Sequence, residues 1–273
     1  MLEIKDLCFN YSGSKHNVFE GFSLNLSEGN VYGLLGKNGT GKSTLLYLLC
    51  GMLRPKSGRV SCDGMETKLR QPDMLRNIFL LSEEFSMPPI SLKRYVEINS
   101  TFYPRFSTEV LKKCLEDFEL HTDLNLGELS MGQKKKAYIS FALATRTKYL
   151  LMDEPTNGLD IPAKSQFRKV VANNMSEDQT IIISTHQVHD VEMLIDHVVM
   201  INNTGVLINS SLQEICEKYR FELRQPGINA DDVLYAEPSL QGNWVVVRNN
   251  DSEEDTPANL ELLFNAVNCG LRI

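Results

Sequence analysis

The stretch GKNGTGKS, Gly36 to Ser43, decides how the rest of the chain is read. It fits the pattern G-x-x-x-x-G-K-[ST], follows the apolar run VYGLL at 31–35 and precedes TLLYLLCGML, a segment apolar enough for a buried helix. Strand, glycine-rich loop and helix in that order form the setting that a phosphate-binding loop requires. The glycines let successive backbone N–H groups curl around phosphate oxygens, and the helix N-terminus adds partial positive charge. Lys42 would then reach the β- and γ-phosphates, and Ser43 would ligate Mg²⁺.

Working outward, YLLM (149–152), TIIIS (180–184) and HVVMI (197–201) are further apolar runs separated by segments of helical length. Runs without alternation are expected of strands covered on both faces, so the pattern predicts an α/β fold, a sheet with a parallel core and helices on both sides. Between Ser86 and Gly127 the character changes. Pro88-Pro89 interrupts the chain, and Val110, Leu111, Cys114, Leu115 and Phe118 fall at helical spacing. Residues 85–145 therefore read as a helical insertion. Beyond Tyr219 the composition shifts through RQPGINADD and the acidic loop NNDSEEDTP, with a strand expected at WVVV (244–247). Thr256 and Pro257 read as a helix cap and first turn, Leu260, Leu263, Phe264 and Val267 as its apolar face, and Gly270 as its stop. The chain thus divides into a main domain, 1–218, and a small C-terminal α+β extension, 219–273.

Bulk properties narrow the function classes. With 35 acidic against 28 basic side chains and a formal charge of −7, the broad positive field of a nucleic-acid binder is missing. Cys8, Cys50, Cys62, Cys114, Cys216 and Cys269 form no C-x-x-C pair and read as reduced thiols of a cytosolic protein. No apolar run approaches the roughly 18 residues of a membrane span.

Three more features carry chemistry. YLLMDEP ends a buried strand with adjacent carboxylates. Asp153 is suited to hold Mg²⁺ directly or through water, and Glu154 to polarise an attacking water. His186 follows the TIIIS strand at its carboxyl end, where doubly wound sheets place ligands. In LSMGQKKK, Ser130 and Gln133 are spaced as a capping box, so a helix is expected to start there. Lys134, Lys135 and Lys136 read as the solvated face of that helix.

In their order, these pieces resemble the ATP-binding subunit of an ATP-binding cassette (ABC) transporter of the exporter-like subfamily, over roughly residues 1–218. The resemblance implies a P-loop NTPase fold of the ABC type. It makes Gly36, Lys37, Asn38, Gly39, Thr40, Gly41, Lys42, Ser43 and Thr44 the phosphate loop and Tyr11 the aromatic that stacks on adenine. Ser130, Gly132 and Gln133 match the signature, LLMDE at 150–154 the magnesium strand, Asp160 the loop that crosses the dimer interface, and His186 the switch histidine at the γ-phosphate.

Two departures stand out: Met131 occupies a signature position where the family usually has glycine, and Glu83 stands where it usually has glutamine. An ionised glutamate only accepts hydrogen bonds, which suits a metal or water ligand.

What the resemblance further implies is a head-to-tail dimer, expected to be a homodimer, with ATP and Mg²⁺ between the phosphate loop of one copy and the signature of the other. Glu154 would activate water, supported by His186 and Lys42. A separate integral membrane permease, met around residues 85–105, would receive the motion. The FYPRF stretch and the strand-rich tail point to export, with the chain cytoplasmic and peripheral on the inner face of the cell membrane. No nucleic-acid partner is expected. The rival class is a soluble ABC ATPase acting in protein assembly without transport.

Overall fold

The computed structural model describes residues 1–225, 232–249 and 256–271. Its centre is a six-stranded sheet in the order β10-β9-β3-β8-β7-β6, built from β3 (Val31–Leu35), β6 (Ile78–Leu81), β7 (Tyr149–Asp153), β8 (Thr180–Thr185), β9 (His197–Asn202) and β10 (Gly205–Ser211). All neighbours are parallel except β9 and β10, which form a hairpin. The four apolar runs picked out in the sequence fall in β3, β7, β8 and β9.

Strand alternation divides their side chains between two cores. Val31, Leu150, Met152, Ile181, Ile183 and Met200 face one side. Tyr32, Leu34, Tyr149, Leu151, Ile182 and Ile201 face the other. Gly33 sits on the first of these faces because Ile195 occupies the space: a Cβ there would lie 2.7 Å from the Ile195 Cδ1.

A second, four-stranded antiparallel sheet covers the second core in the order β2-β1-β4-β5, from β1 (Leu2–Phe9), β2 (Phe19–Leu26), β4 (Ser57–Cys62) and β5 (Met65–Glu66). Helix α1 (Lys42–Leu49) runs between the sheets, with Leu45, Leu46, Leu48 and Leu49 buried among both. The short α2 (Pro72–Leu75) leads into β6.

Helices α3 (Leu92–Asn99), α4 (Thr108–Asp117) and α5 (Met131–Ala144) make the helical region. Ser91, Ser107 and Ser130 cap them through bonds accepted from Arg94, Val110 and Gln133 N–H groups. Helix α5 serves two cores: Ala137 and Ala144 pack against Leu92, Leu111 and Leu115, whereas Ile139, Phe141 and Leu143 join α6 (Ile161–Asn174) over the central sheet. Phe141 is the hub, with Tyr95, Phe106, Phe79 and Tyr103 ring centroids at 5.1, 5.3, 5.9 and 6.4 Å. Truncating it to alanine is expected to cost about 3–5 kcal/mol of unfolding free energy. Urea denaturation checks this, and a loss below about 1 kcal/mol would show that the rings do not act as one packed unit.

The tail follows α7 (Leu212–Lys218) as a three-stranded antiparallel sheet, β11 (Tyr219–Arg224), β13 (Gly242–Arg248) and β12 (Val233–Ser239), closed by α8 (Leu260–Asn268). The strand expected at 244–247 lies within β13. The helix start differs from the sequence expectation: α8 begins at Leu260 with Asn259 as its cap, accepting from the Leu262 N–H. Thr256 instead accepts a bond from the Phe221 N–H, which ties the segment to β11. Most of the acidic loop, residues 250–255, lies outside the described residues, as do 226–231 of RQPGINADD. Phe221, Val246, Leu260, Leu263 and Ala266 are continuous with the core of the central sheet.

Candidate active site

Strand register assembles the site. Leu35 is level with Thr185, Asp153 with Ser184, and Leu81 with Met152. The segments leaving the carboxyl ends of β3, β6, β7 and β8 therefore emerge at one rim of the sheet, where ligands of such sheets bind. They enclose a cleft of about 470 Å³, lined by Tyr11, Asn38, Gly39, Gly41, Lys42, Ser43, Thr44, Glu83, Glu154, Asn157 and His186 together with Val18.

The loop from Gly36 to Gly41 joins β3 to α1. Gly41 caps the helix with φ +95°, and a Cβ there would meet Val18 Cγ1 at 2.7 Å and Phe19 Cζ at 2.8 Å, so both conformation and space call for glycine. The Thr40 hydroxyl donates to the Lys37 carbonyl and holds the turn, at 2.8 Å. Lys42, 7 % exposed, donates to the carbonyl of Gly36 at 2.8 Å and lies 4.0 Å from Glu154 Oε1. Burial draws its pKa down, against the opposing pull of Glu154, Asp153 and Glu83. Lys37 and Asn38 are both exposed, and of the two only Asn38 lines the cleft. The Tyr11 hydroxyl bonds Thr44 Oγ1 at 2.9 Å, and its ring stands edge-on to Phe9 at the mouth of the cleft.

Asp153 Oδ1 accepts from Ser43 Oγ at 3.1 Å and from Ser184 Oγ. Glu154, the next residue, takes a left-handed backbone, φ +43°, which ends the strand alternation and brings its carboxylate to the same cleft. Its Oε1 accepts from the His186 backbone N–H at 3.1 Å and pairs with His186 Nδ1 at 2.8 Å. Its Oε2 is buried without a partner among the described residues. One oxygen is thus pinned and the other is an unsatisfied acceptor. Glu83 accepts from Asn157 Nδ2 at 2.7 Å.

No group of three or more His, Cys, Asp or Glu side chains among the described residues could cage a metal. The donors present are hard oxygens instead: Ser43 Oγ, the Asp153 carboxylate and Glu83. Such a set fits Mg²⁺, which keeps several waters and shares phosphate oxygens.

Ser130, Gly132, Gln133 and Asp160 do not line this cleft. Ser130 and Gln133 form a reciprocal capping box, with Gln133 Oε1 accepting from the Ser130 N–H at 3.0 Å. Because Ser130 Oγ accepts from the Gln133 N–H, its hydroxyl proton is left for an outside acceptor. Gly132 faces open space and Met131 is 65 % exposed. Asp160 caps α6 through the Ala163 N–H at 2.8 Å.

One sequence expectation fails: Lys135 is not on a solvated face. It is 6 % exposed and donates to the carbonyls of Glu154 at 2.9 Å and Asn157 at 2.7 Å. The signal was spacing, since Lys135 stands four residues before the buried Ile139 and seven before the buried Ala142. Ser184, Asn157 and Gln187 are further site residues that no local motif marks.

A family model described as ABC transporter matches residues 19–157. The chain is 31% identical over 208 residues to the ABC transporter ATP-binding protein NatA of Bacillus subtilis, covering 73% of this chain and 84% of that protein. It is 28% identical over 221 residues to YtrB of the same organism, described in the same words, covering 80% and 75%. Among solved structures, an ATP binding subunit of an ABC transporter superposes with TM-score 0.69 at 25% identity, covering 78% of this chain and 91% of the other. A dimeric ATP-binding cassette in a post-hydrolysis state with ADP and Pi shares the fold, TM-score 0.67 at 23% identity, over 78% and 99%.

Proposed function

The chain belongs to the ABC transporter family as an ATP-hydrolysing subunit, and from that premise we propose how its residues divide the work and what they drive. Two copies associate head to tail. In each, the backbone N–H groups after Gly36 and the Lys42 ammonium hold the β- and γ-phosphates, and Tyr11 faces the base. Ser130 of the other copy offers its hydroxyl proton, and Gly132 an unobstructed backbone, to the γ-phosphate.

Ser43, Asp153 and Glu83 would hold Mg²⁺, which supplies charge neutralisation on the phosphate oxygens. Lys42 is the protein's own share of that neutralisation. The observation that carries the reading is the asymmetry of Glu154: His186 occupies Oε1, and Oε2 is left to orient and deprotonate the attacking water. Little covalent chemistry is asked of the protein, so positioning and charge dominate.

No helix of the described residues is long and apolar enough to cross a membrane. The cassette, 1–218, is proposed to sit on the inner face of the cell membrane through a separate permease, in the direction of export, with 219–273 as an appended module. A groove of about 570 Å³ between the central sheet and the helical region suits the permease, rimmed by Met52, Arg70, Leu75, Arg76 and Phe102. Phe102 and Met52 are 64 % and 62 % exposed there. Exposed aromatic anchors in such grooves carry much of a docking energy. Phe102→Asp is expected to cut co-purification with integral membrane protein about tenfold or more and to leave ATP turnover of the isolated chain within about threefold. Recovery of the unaltered chain without any membrane protein, from membranes solubilised in mild detergent, would overturn the permease reading.

A further inference from the structure

Glu154 is held in a conformation that glutamate rarely adopts, and what holds it is an unusual buried cation. A non-glycine residue with positive φ persists only where its surroundings determine it. The Glu154 N–H is fixed by the Ser184 carbonyl and hydroxyl, at 3.1 and 3.3 Å. The Glu154 carbonyl is fixed by the Lys135 ammonium, which reaches across from the second turn of α5. Lys135 also holds the Asn157 carbonyl, and the Asn157 side chain in turn donates to Glu83. Lysine is almost never fully buried unless compensated.

We propose that Lys135 is a positioning residue of the hydrolytic site and that its charge is paired, through Asn157, with that of Glu83. Lys135 locks the backbone of Glu154, and its cation offsets the extra carboxylate that Glu83 places in the cleft. Burial lowers the pKa of Lys135, and among the carboxylates opposing that shift Glu83 acts most strongly, ahead of Glu154 and Asp153. The two features that depart from expectation, an acid at 83 and a buried lysine at 135, thereby explain each other. A neutral residue at 83 would leave the buried ammonium less balanced. A neutral residue at 135 would remove one of the two buried ammonium groups set against Glu83, Asp153 and Glu154.

The inference rests on the hydrolysis reading, so steady-state phosphate release and fluorescent-nucleotide binding are measured on the unaltered chain first; absence of turnover there sinks both. With turnover present, Lys135→Met is expected to lower kcat about 30-fold with KM and nucleotide affinity within about threefold, since loss of positioning acts on the reacting geometry. Glu83→Gln, which alters a proposed Mg²⁺ ligand, is expected to lower kcat about tenfold on its own. The double variant Glu83→Gln/Lys135→Met is expected to lose clearly less than the product of the two single losses, because removing the carboxylate relieves the charge that the lost ammonium leaves unbalanced. Additive losses in the double variant would overturn the pairing. A Lys135→Met kcat within twofold of the unaltered chain would overturn the positioning role. Should Lys135→Met fail to fold, folding of the double variant supports the pair, and failure of both overturns it.

Discussion

Glu154→Gln is expected to lower ATP turnover by about 10³-fold while nucleotide binding stays within a few-fold. The substitution is nearly isosteric, so the left-handed backbone and its bonds to Lys135 and Ser184 are retained. The amide carbonyl can still accept from the His186 backbone N–H in place of Oε1. What changes is the other end: the unpartnered acceptor Oε2 becomes an NH₂ donor, which cannot take a proton from water. Chemistry is lost and binding is spared, so a nucleotide-bound dimer should accumulate. Phosphate release at saturating MgATP measures the first effect, and solution scattering with and without nucleotide the second. Turnover within tenfold of the unaltered chain would remove Glu154 from the role of base.

Lys42→Ala should act on the opposite quantity. Its ammonium is buried beside Glu154 and touches the loop carbonyl of Gly36. Truncation deletes the buried cation of the phosphate loop and leaves the triphosphate beside Asp153 and Glu154. Removing one member of a buried, charged, hydrogen-bonded contact costs about 2–5 kcal/mol, so ATP affinity is expected to fall by about 10²-fold or more. Titration of a fluorescent ATP analogue reads it directly. A dissociation constant within about threefold of the unaltered chain would mean that backbone N–H groups alone carry phosphate recognition. Lys42→Arg is not a rescue, because the bulkier, forked guanidinium must enter a space already closed by Gly36 and Glu154.

The parts of this molecule that could be read from sequence are those whose determinants are local. The GKNGTGKS pattern is eight consecutive residues between a strand and a helix, and the capping box of α5 is four. The buried strands announce themselves as continuous apolar runs because both faces are covered. The antiparallel sheet was harder to read: β1 carries a left-handed Asp6 and two register irregularities against β2, which blur the alternation that marks a half-buried strand. Helix α8 starts later for a tertiary reason, since the Thr256 hydroxyl accepts from the Phe221 N–H of β11 and leaves Asn259 to cap.

Within the site, Ser184, Asn157 and Gln187 have no motif of their own. Ser184 matters because β7 and β8 are paired in register, and Asn157 because Glu83 is folded against it from 74 residues away. Lys135 was misread because three lysines in a row look like a wet surface, although one of every three or four helical positions must face inward.

The capping box at Ser130 bears on association. The start of α5 is already closed upon itself in the single chain, the Ser130 and Gln133 N–H groups satisfied by each other's side chains without outside help. A recognition element that is rigid before encounter forfeits no chain entropy on meeting its counterpart. Joining two cassettes should accordingly behave as a lock closing on a finished key, fast and with a small heat-capacity change, unlike a segment that must first fold.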